Sequence, residues 1–341
     1  EFTSPYLTSV RIDEAKFEII CEKQLRILRN KAKQPAQRHA FDIFTQIIRE
    51  VTWNDAQQIA VLEAVNYADL KDYVERSRQE VYLRGFAYGN LGTDQVRQLA
   101  KTLGTSLGGD GVLPVAKRFS YRVVKMAPGT SAVLTKPIDS NESACMLVYQ
   151  GDPLSEENRA VLRITSQIMN TRFFQDLRTL QQTGYLVHAS GMDLEGLPFF
   201  YFLSQSSVVA PVSLRGRFQS FLKHFVDDLG KISEEEFERT RGAVIAEVLK
   251  KRNSFGEELS WNYNAAFRLK GDFEAESRLA AALKALTLEQ YQAAVPAFFA
   301  DEGVRRVSIE IVGTSDRHRF QPSTLEDLRA GAEGWWERPA R

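Results

Sequence analysis

Histidines and carboxylates are the first side chains to test for chemistry, because imidazole and carboxylate groups are the usual zinc ligands. The chain contains four histidines, His39, His188, His224 and His318. They are too widely spaced for a zinc motif, and neither H-E-x-x-H nor H-x-x-E-H occurs. The nearest approach, His224 followed by Asp227 and Asp228, is typical of an amphipathic helix with a solvated acidic end. The residues alone therefore predict no metal site and no catalytic constellation.

Arg178 and Tyr185, seven positions apart, are hydrogen-bond donors that could face a developing negative charge. From spacing alone, Arg178 reads as a helix-end arginine that satisfies carbonyls, and Tyr185 as the first aromatic residue of a strand. The glycine-rich run from Gly104 to Gly111 has neither a G-K-[ST] ending nor a G-x-G-x-x-G pattern. It therefore predicts a linker and not a phosphate loop.

Composition narrows the classes of function. The 341 residues carry 44 Lys and Arg against 44 Asp and Glu, so overall charge predicts no nucleic-acid partner and no anionic membrane partner. No apolar run of about 18 residues is present to cross a bilayer. The two cysteines, Cys21 and Cys145, are interpreted as buried apolar side chains, and so few thiols fit either the cytoplasm or the periplasm.

Periodicity predicts an α+β protein. Helical patterns dominate up to Leu103, interrupted by one alternating strand at Glu80–Tyr88. From Phe119 onward the pattern predicts several strands, and a helix from Ser155 to about Leu177 lies between them. These strands are expected at Tyr121–Met126, Ala132–Thr135, Ala144–Tyr149, Tyr185–Ser190, Phe199–Ser204 and Val304–Val312.

The order of elements contains a repeat. Asp13 to Phe17 corresponds to Ser233 to Phe237 at an offset of 220, and Asn66 with Leu70 corresponds to Thr287 with Tyr291 at 221. The closing strands, Tyr82 to Gly89 and Arg306 to Gly313, lie at 224. We therefore expect two copies of one αβ unit, of which the first lacks its strand-rich opening half. The expected boundaries are 1–103 for the incomplete copy, 104–118 for a linker, 119–315 for the complete copy and 316–341 for a tail.

One stretch resembles a known family. Phe174 to Val187 is similar to the F-x-x-L-R-x-x-x-Q-x-G-Y-x-V signature of the fourth domain of the insulysin/pitrilysin family of zinc metalloendopeptidases, the inverzincins. Gln34–Ala40, Val51–Trp53 and Tyr88–Asn90 resemble the later half of the third domain, and Gly196–Phe199 with the Ser233 to Gly313 region resembles the rest of the fourth. The resemblance covers nearly the whole chain except its last twenty-odd residues.

The resemblance implies a clamshell of four homologous αβ domains, each with an antiparallel-rich sheet packed by helices. The first of these domains binds zinc through H-x-x-E-H and a distant Glu. In this chain the corresponding helix has Ile164 and Ile168 at the ligand positions and Gln167 at the base position. An aliphatic group cannot bind zinc, and an amide cannot accept the proton of the attacking water. The expected zinc therefore belongs to an N-terminal half, and this segment holds no cofactor.

The same resemblance implies that Arg178 and Tyr185 contact the substrate backbone and stabilise the tetrahedral oxyanion. The expected function is that of a non-catalytic C-terminal half, which encloses peptide substrates and completes the active site of a zinc-bearing partner half. The alternative is an inactive subunit or binding module of the same fold, paired with a separate zinc-bearing chain or serving in assembly. Trp335 and Trp336 in the tail are expected to dock on a partner surface.

Overall fold

The protein is described by a computed structural model that covers residues 13–107, 111–112, 117–301, 303–316, 329 and 332–336. His318, part of the predicted linker (108–110 and 113–116) and most of the predicted tail lie outside these residues. The described chain forms two compact units. Unit 1 contains residues up to 31, 53–120 and 254–266; unit 2 contains 32–52, 121–253 and 267 onward. Residues 32–52, expected in the first copy, thus belong to unit 2.

Unit 2 is a mixed α+β structure, and the α+β class predicted from periodicity is confirmed. Its strands are β3 (Val123–Met126), β4 (Ser131–Pro137), β5 (Ser143–Gln150), β6 (Leu186–Leu194), β7 (Leu197–Ser206), β8 (Arg306–Val312) and β9 (Ala332–Trp336). Its α-helices are α2 (Ala36–Ile48), α6 (Glu156–Phe173), α7 (Pro211–Asp227), α8 (Glu234–Val248), α10 (Ala275–Ala285) and α11 (Leu288–Phe299).

The main sheet has the strand order β4-β8-β5-β7-β6. β4 and β8 run parallel, and every other neighbouring pair is antiparallel. Strand β5 lies in the middle of the sheet and is buried along its whole length. A strand covered on both faces needs apolar residues at consecutive positions, which explains the unbroken run from Ala144 to Tyr149.

The two faces of the sheet bury separate cores. On one face, Cys145, Leu147 and Tyr149 pack with α6, α7, α10 and α11. On the other face, Ala144, Met146 and Val148 pack with α2 and with β3 and β9. The four aromatic residues Phe199 to Phe202 in β7 alternate between these cores and are all buried, so they are core residues of the sheet.

The strand β9 explains the two tail tryptophans. Trp336 pairs with Val123 and Trp335 with Val124 across the antiparallel β3-β9 pair. The indole N–H of Trp336 donates to the carbonyl of Glu195 at 3.0 Å. Both indoles therefore pack within unit 2, and docking on a partner surface is not needed to explain them.

Unit 1 is helical and has little interior. Its helices are α1 (Glu14–Lys31), α3 (Asp55–Ala64), α4 (Tyr67–Gln79), α5 (Thr93–Leu107) and α9 (Phe255–Phe267, of which unit 1 holds the part up to residue 266). It also has a two-residue parallel pair, β1 (Glu80–Val81) with β2 (Gly111–Val112). Among the described side chains of unit 1, Leu28 and Ala265 are the only fully buried apolar ones. No helix among the described residues is long and apolar enough to span a bilayer.

The predicted repeat agrees with the observed helix starts, but the closing strand of the first copy differs from that of the second. Asp13 and Ser233 directly precede α1 and α8, and Asn66 and Thr287 directly precede α4 and α11. The strand predicted at Glu80–Tyr88 is wrong beyond Val81, because residues 82–88 have no ladder partner in the part of the chain that the structure describes. Its counterpart β8 is a strand because β4 and β5 flank it.

The N-terminal caps of α11 and α8 use different hydrogen-bond partners. Thr287 and Gln290 form a reciprocal capping box at the start of α11. Ser233 accepts from the Glu236 amide, but the Glu236 carboxylate instead receives two hydrogen bonds from Arg172 on α6, each of 2.9 Å. A charged partner thus replaces the backbone N–H that a capping box would use.

Candidate functional site

Helix α6 carries the three positions that correspond to a zinc-binding motif. Ile164 and Ile168 are 0% and 4% exposed and belong to the helix-side core, whereas Gln167 points to solvent. The two ligand positions therefore face packed side chains, and neither their chemistry nor their surroundings fit a zinc ion. Among the described residues, no group of three or more His, Cys, Asp or Glu side chains is placed to hold a metal.

Beyond Phe173 the helix continues as a π-helix, Phe174–Leu180. The Gln181 N–H donates to the carbonyl of Asp176 at 2.9 Å, five residues back, as a π-helical turn requires. Leu177 anchors the segment with no exposed surface. Such wide turns occur often at functional sites, because they move side chains away from α-helical positions. The sequence pattern predicted helix as far as Leu177 but not the change in its type.

The turn that follows is closed by two features. Thr183 donates to the carbonyl of Leu177 with both its N–H and its hydroxyl, each at 2.9 Å. Gln182 has a φ of +49°, in the left-handed region that ends many helices. Gly184 then passes against β7, where an added Cβ would lie only 1.9 Å from the Gln205 carbonyl oxygen. A glycine is required at this close approach, and it delivers Tyr185 to the position before β6.

Arg178 and Tyr185, the two residues predicted to form the site, lie together. The Cζ atom of Arg178 is 4.9 Å from the centre of the Tyr185 ring and also 4.9 Å from the centre of the Phe174 ring. Aromatic faces attract a guanidinium through their electron-rich π surface. Tyr185 is 85% exposed and Phe174 is 39% exposed, so the cluster is open to solvent.

The polar atoms of this cluster face outward. Within the described part of the chain, no hydrogen bond or ion pair engages the Arg178 guanidinium or the Tyr185 hydroxyl. The N–H donors of a guanidinium lie in its own plane. A guanidinium that contacts ring faces can therefore still bind an acceptor at its edge. The arrangement can therefore present two types of donor, a cation and a phenol, to one anionic or carbonyl group.

Two supporting residues were not predicted. Phe174 lies one turn before Arg178 and contacts its guanidinium, a relation that the four-residue spacing could have indicated. Gln181 donates to Asp176 Oδ1 at 3.1 Å and accepts from Arg217 Nη1 on α7 at 3.3 Å. These bonds hold the turn between the π-helix and Tyr185, and no local pattern predicts them because Arg217 is 36 residues away.

Comparison with known families gives one match within unit 2 and part of α9. Residues 164–263 match the family described as "PQQ synthase PqqF-like, C-terminal lobe domain 4". This range includes the three zinc-equivalent positions, the π-helix and the Arg178–Tyr185 cluster.

Curated relatives extend the similarity to most of the chain. The insulin-degrading enzyme of Drosophila melanogaster is 25% identical over 90% of this chain and 32% of its own length. The insulin-degrading enzyme of Homo sapiens is 26% identical over 83% of this chain and 28% of its own length. The chain thus spans about a third of the length of these relatives.

Solved structures agree with this fold. Pitrilysin superposes with a TM-score of 0.84 at 19% identity, covering 99% of this chain and 36% of pitrilysin. The "peptidase M16 inactive domain" of Pseudomonas fluorescens superposes with a TM-score of 0.62 at 14% identity, covering 91% of this chain and 73% of that one.

Proposed function

Because this chain belongs to the insulysin/pitrilysin family of zinc metalloendopeptidases, within whose C-terminal half it falls, we propose that it is the non-catalytic wall of a peptidase chamber. In this proposal the zinc and its attacking water belong to an N-terminal half. The present chain closes over the peptide and contributes Arg178 and Tyr185 to the site. The observation that carries the proposal is the outward-facing pair of donors held between the π-helix and β6.

The role of each residue follows from its chemistry. Peptide hydrolysis passes through a tetrahedral intermediate whose oxygen becomes negatively charged. A phenol hydroxyl can donate one hydrogen bond to that oxygen, and a guanidinium can donate to it and to a neighbouring carbonyl at once. Phe174 restricts the Arg178 side chain, so less conformational freedom is lost when substrate binds.

The helix α6 supports the non-catalytic assignment. Ile164 and Ile168 fill the core where zinc ligands would be needed, and Gln167 cannot act as a base. We therefore propose that the chain alone hydrolyses no peptide bond. We also retain the proposal that residues 119–315 are one complete copy of the family domain and residues 1–103 the later part of another.

Unit 1 has few buried apolar side chains and several exposed ones, which supports a large interface with a partner. Ile19, Trp53, Val61 and Tyr73 are all more than 60% exposed, whereas Leu28 and Ala265 are the only fully buried apolar side chains described there. Large apolar side chains left exposed beside so small a core favour an interface with another surface. We propose that the N-terminal zinc-bearing half covers it, either in the same polypeptide or as a partner chain.

A second function of another class is an assembly or binding subunit. The likeness to a fold described as an inactive peptidase domain favours it. Complementation separates the two: the purified chain is mixed with the N-terminal zinc-bearing half of a relative, and cleavage of an internally quenched peptide is followed. The peptidase proposal expects cleavage above that of the zinc-bearing half alone, and the increase should be lost with Arg178→Ala. Association with no gain in cleavage would instead support the assembly subunit.

A further inference from the structure

A cavity of about 390 Å³ lies in unit 2, away from the residues of the Arg178–Tyr185 cluster. Its walls come from the end of β5, the first three turns of α6, the second half of α11 and residues 303–305 before β8. The volume lies within the range of cavities that bind small molecules in proteins. Neither the zinc-equivalent positions nor the proposed peptide site accounts for it.

Part of the cavity wall is apolar. It includes Val161, Phe200, Val295 and Phe299, all of which are buried members of the helix-side core. Gln150 also lines the cavity, and both ends of its amide are engaged, since the oxygen accepts from the Met126 N–H at 2.7 Å and the nitrogen donates to the Val124 carbonyl at 2.8 Å. The apolar part of the wall favours a ligand with an aliphatic or aromatic body.

One cation lies at the cavity wall. The Arg305 side chain is only 12% exposed, and its Nε atom is buried, with no hydrogen-bond partner among the described residues. A buried N–H with no acceptor is costly, so an acceptor at this place would be bound favourably. The guanidinium contacts Asp152 at 3.1 Å, but the Asp152 side chain is 76% exposed, so this ion pair is solvated and weak.

A second polar group lines the cavity. It is the Thr165 hydroxyl, which interacts with the buried Tyr291 hydroxyl. The cavity thus combines an apolar wall with a cationic donor on one side and a hydroxyl on another.

We propose that this cavity binds a small monocarboxylate with an apolar body, whose carboxylate replaces Asp152 on Arg305 and whose body packs over Phe200 and Phe299. A medium-chain fatty acid and the apolar C-terminal residue of a short peptide share this chemistry. The charge and the volume of the site favour them over a cation or a large polar ligand.

The test uses 4-(4-fluorophenyl)butanoate as the probe, followed by ¹⁹F NMR on the whole chain. We expect saturable binding, and binding at least about tenfold weaker for the matching amide, which lacks the charge that Arg305 requires. Equal binding of acid and amide would overturn the proposal, as would no binding of the acid. Competition by decanoate and by N-acetyl-leucyl-leucine distinguishes the two sources, and failure of both to compete would also contradict the proposal.

Three variants localise the binding. Arg305→Gln should weaken it about tenfold, whereas Arg306→Gln, next in sequence but outside the cavity lining, should not change it. Asp152→Asn should strengthen it, because the competing carboxylate is removed. Ala294→Phe on α11 should block the cavity, and Ala293→Phe, an exposed neighbour, is its control. Unchanged binding in Arg305→Gln, measured beside a normal melting curve, would contradict the proposal even if Ala294→Phe fails to fold.

Discussion

The guanidinium carbon of Arg178 lies 4.9 Å from the ring centre of Tyr185, although a π-helical turn, a left-handed residue and a close glycine contact separate the two in the chain. Each of these features is needed to bring the side chains together. The pair is therefore a product of the whole Phe174 to Leu186 segment and not of a regular helix or strand.

The first prediction concerns Tyr185. In the presence of the zinc-bearing half, Tyr185→Phe should lower kcat about tenfold to a thousandfold, because it deletes one hydroxyl that acts chiefly when the oxyanion forms. The ring remains to hold Arg178, so the melting curve should not change. Steady-state kinetics on an internally quenched peptide measures the effect. A wild-type kcat/KM would exclude the proposed role of the hydroxyl.

The second prediction concerns Arg178. Arg178→Ala should lower kcat/KM at least as much as Tyr185→Phe, and Arg178→Lys should restore only part of it, since an ammonium group cannot reproduce the planar fork. Arg239→Lys is a suitable control, because Arg239 is exposed on α8 and does not belong to the cluster or to the turn that holds it. Activity lost only in proportion to lost folded protein would assign Arg178 a structural role.

The third prediction concerns Gly184. Gly184→Ala should destabilise the chain by roughly 2 kcal/mol or more, because its Cβ would collide with the Gln205 carbonyl oxygen in β7. Gly216→Ala is the matched control: an added Cβ meets nothing within 4 Å there, and Gly216 lies inside α7, so it should stabilise by about 0.5–1 kcal/mol. Urea unfolding of both variants provides the measurement. Equal stabilities would contradict the close approach.

Sequence patterns predicted some elements of this structure and missed others, for physical reasons. Burial on both faces makes β5 and β7 continuous apolar runs, and caps such as Thr287 mark helix starts, so these elements could be predicted. The strand predicted at Glu80–Tyr88 does not continue beyond Val81. A strand needs a neighbouring strand to pair with, and local alternation does not indicate whether one is present. The resemblance assigned Arg178 and Tyr185 to one site but did not predict their contact, and the π-helix depends on tertiary packing around Leu177.

The fourth prediction concerns metal binding by α6. Converting Ile164 and Ile168 to His and Gln167 to Glu should not create a stoichiometric zinc site. It should lower the melting temperature, because the two histidines would enter a packed apolar core. Elemental analysis beside calorimetry checks both parts. One zinc bound per chain with an unchanged melting temperature would show that this face of the helix can open.

The last prediction concerns a buried ion pair in the sheet. Glu310 on β8 is 1% exposed, and its Oε1 atom lies 3.3 Å from Arg215 Nε on α7. Its Oε2 atom is buried, and no described residue makes a hydrogen bond to it. Burial is the largest influence on this carboxyl and raises its pKa above the ordinary value, while Arg215 and the Ser308 hydroxyl lower it in part. The folded state therefore holds the proton more tightly than the unfolded state does, and stability should fall as pH rises through the folded pKa.

Glu310→Gln removes this titration while keeping the shape of the side chain. Its melting temperature relative to wild type should therefore increase between pH 5 and pH 8, because only the wild type must hold a buried charge at the higher pH. Arg215→Gln should have the opposite pH dependence and destabilise most at pH 8, where it leaves the carboxylate without its cation. Thermal melts of the three proteins across this range provide the measurement. A Glu310→Gln variant that becomes less stable relative to wild type as pH rises would mean that attraction to Arg215 outweighs burial.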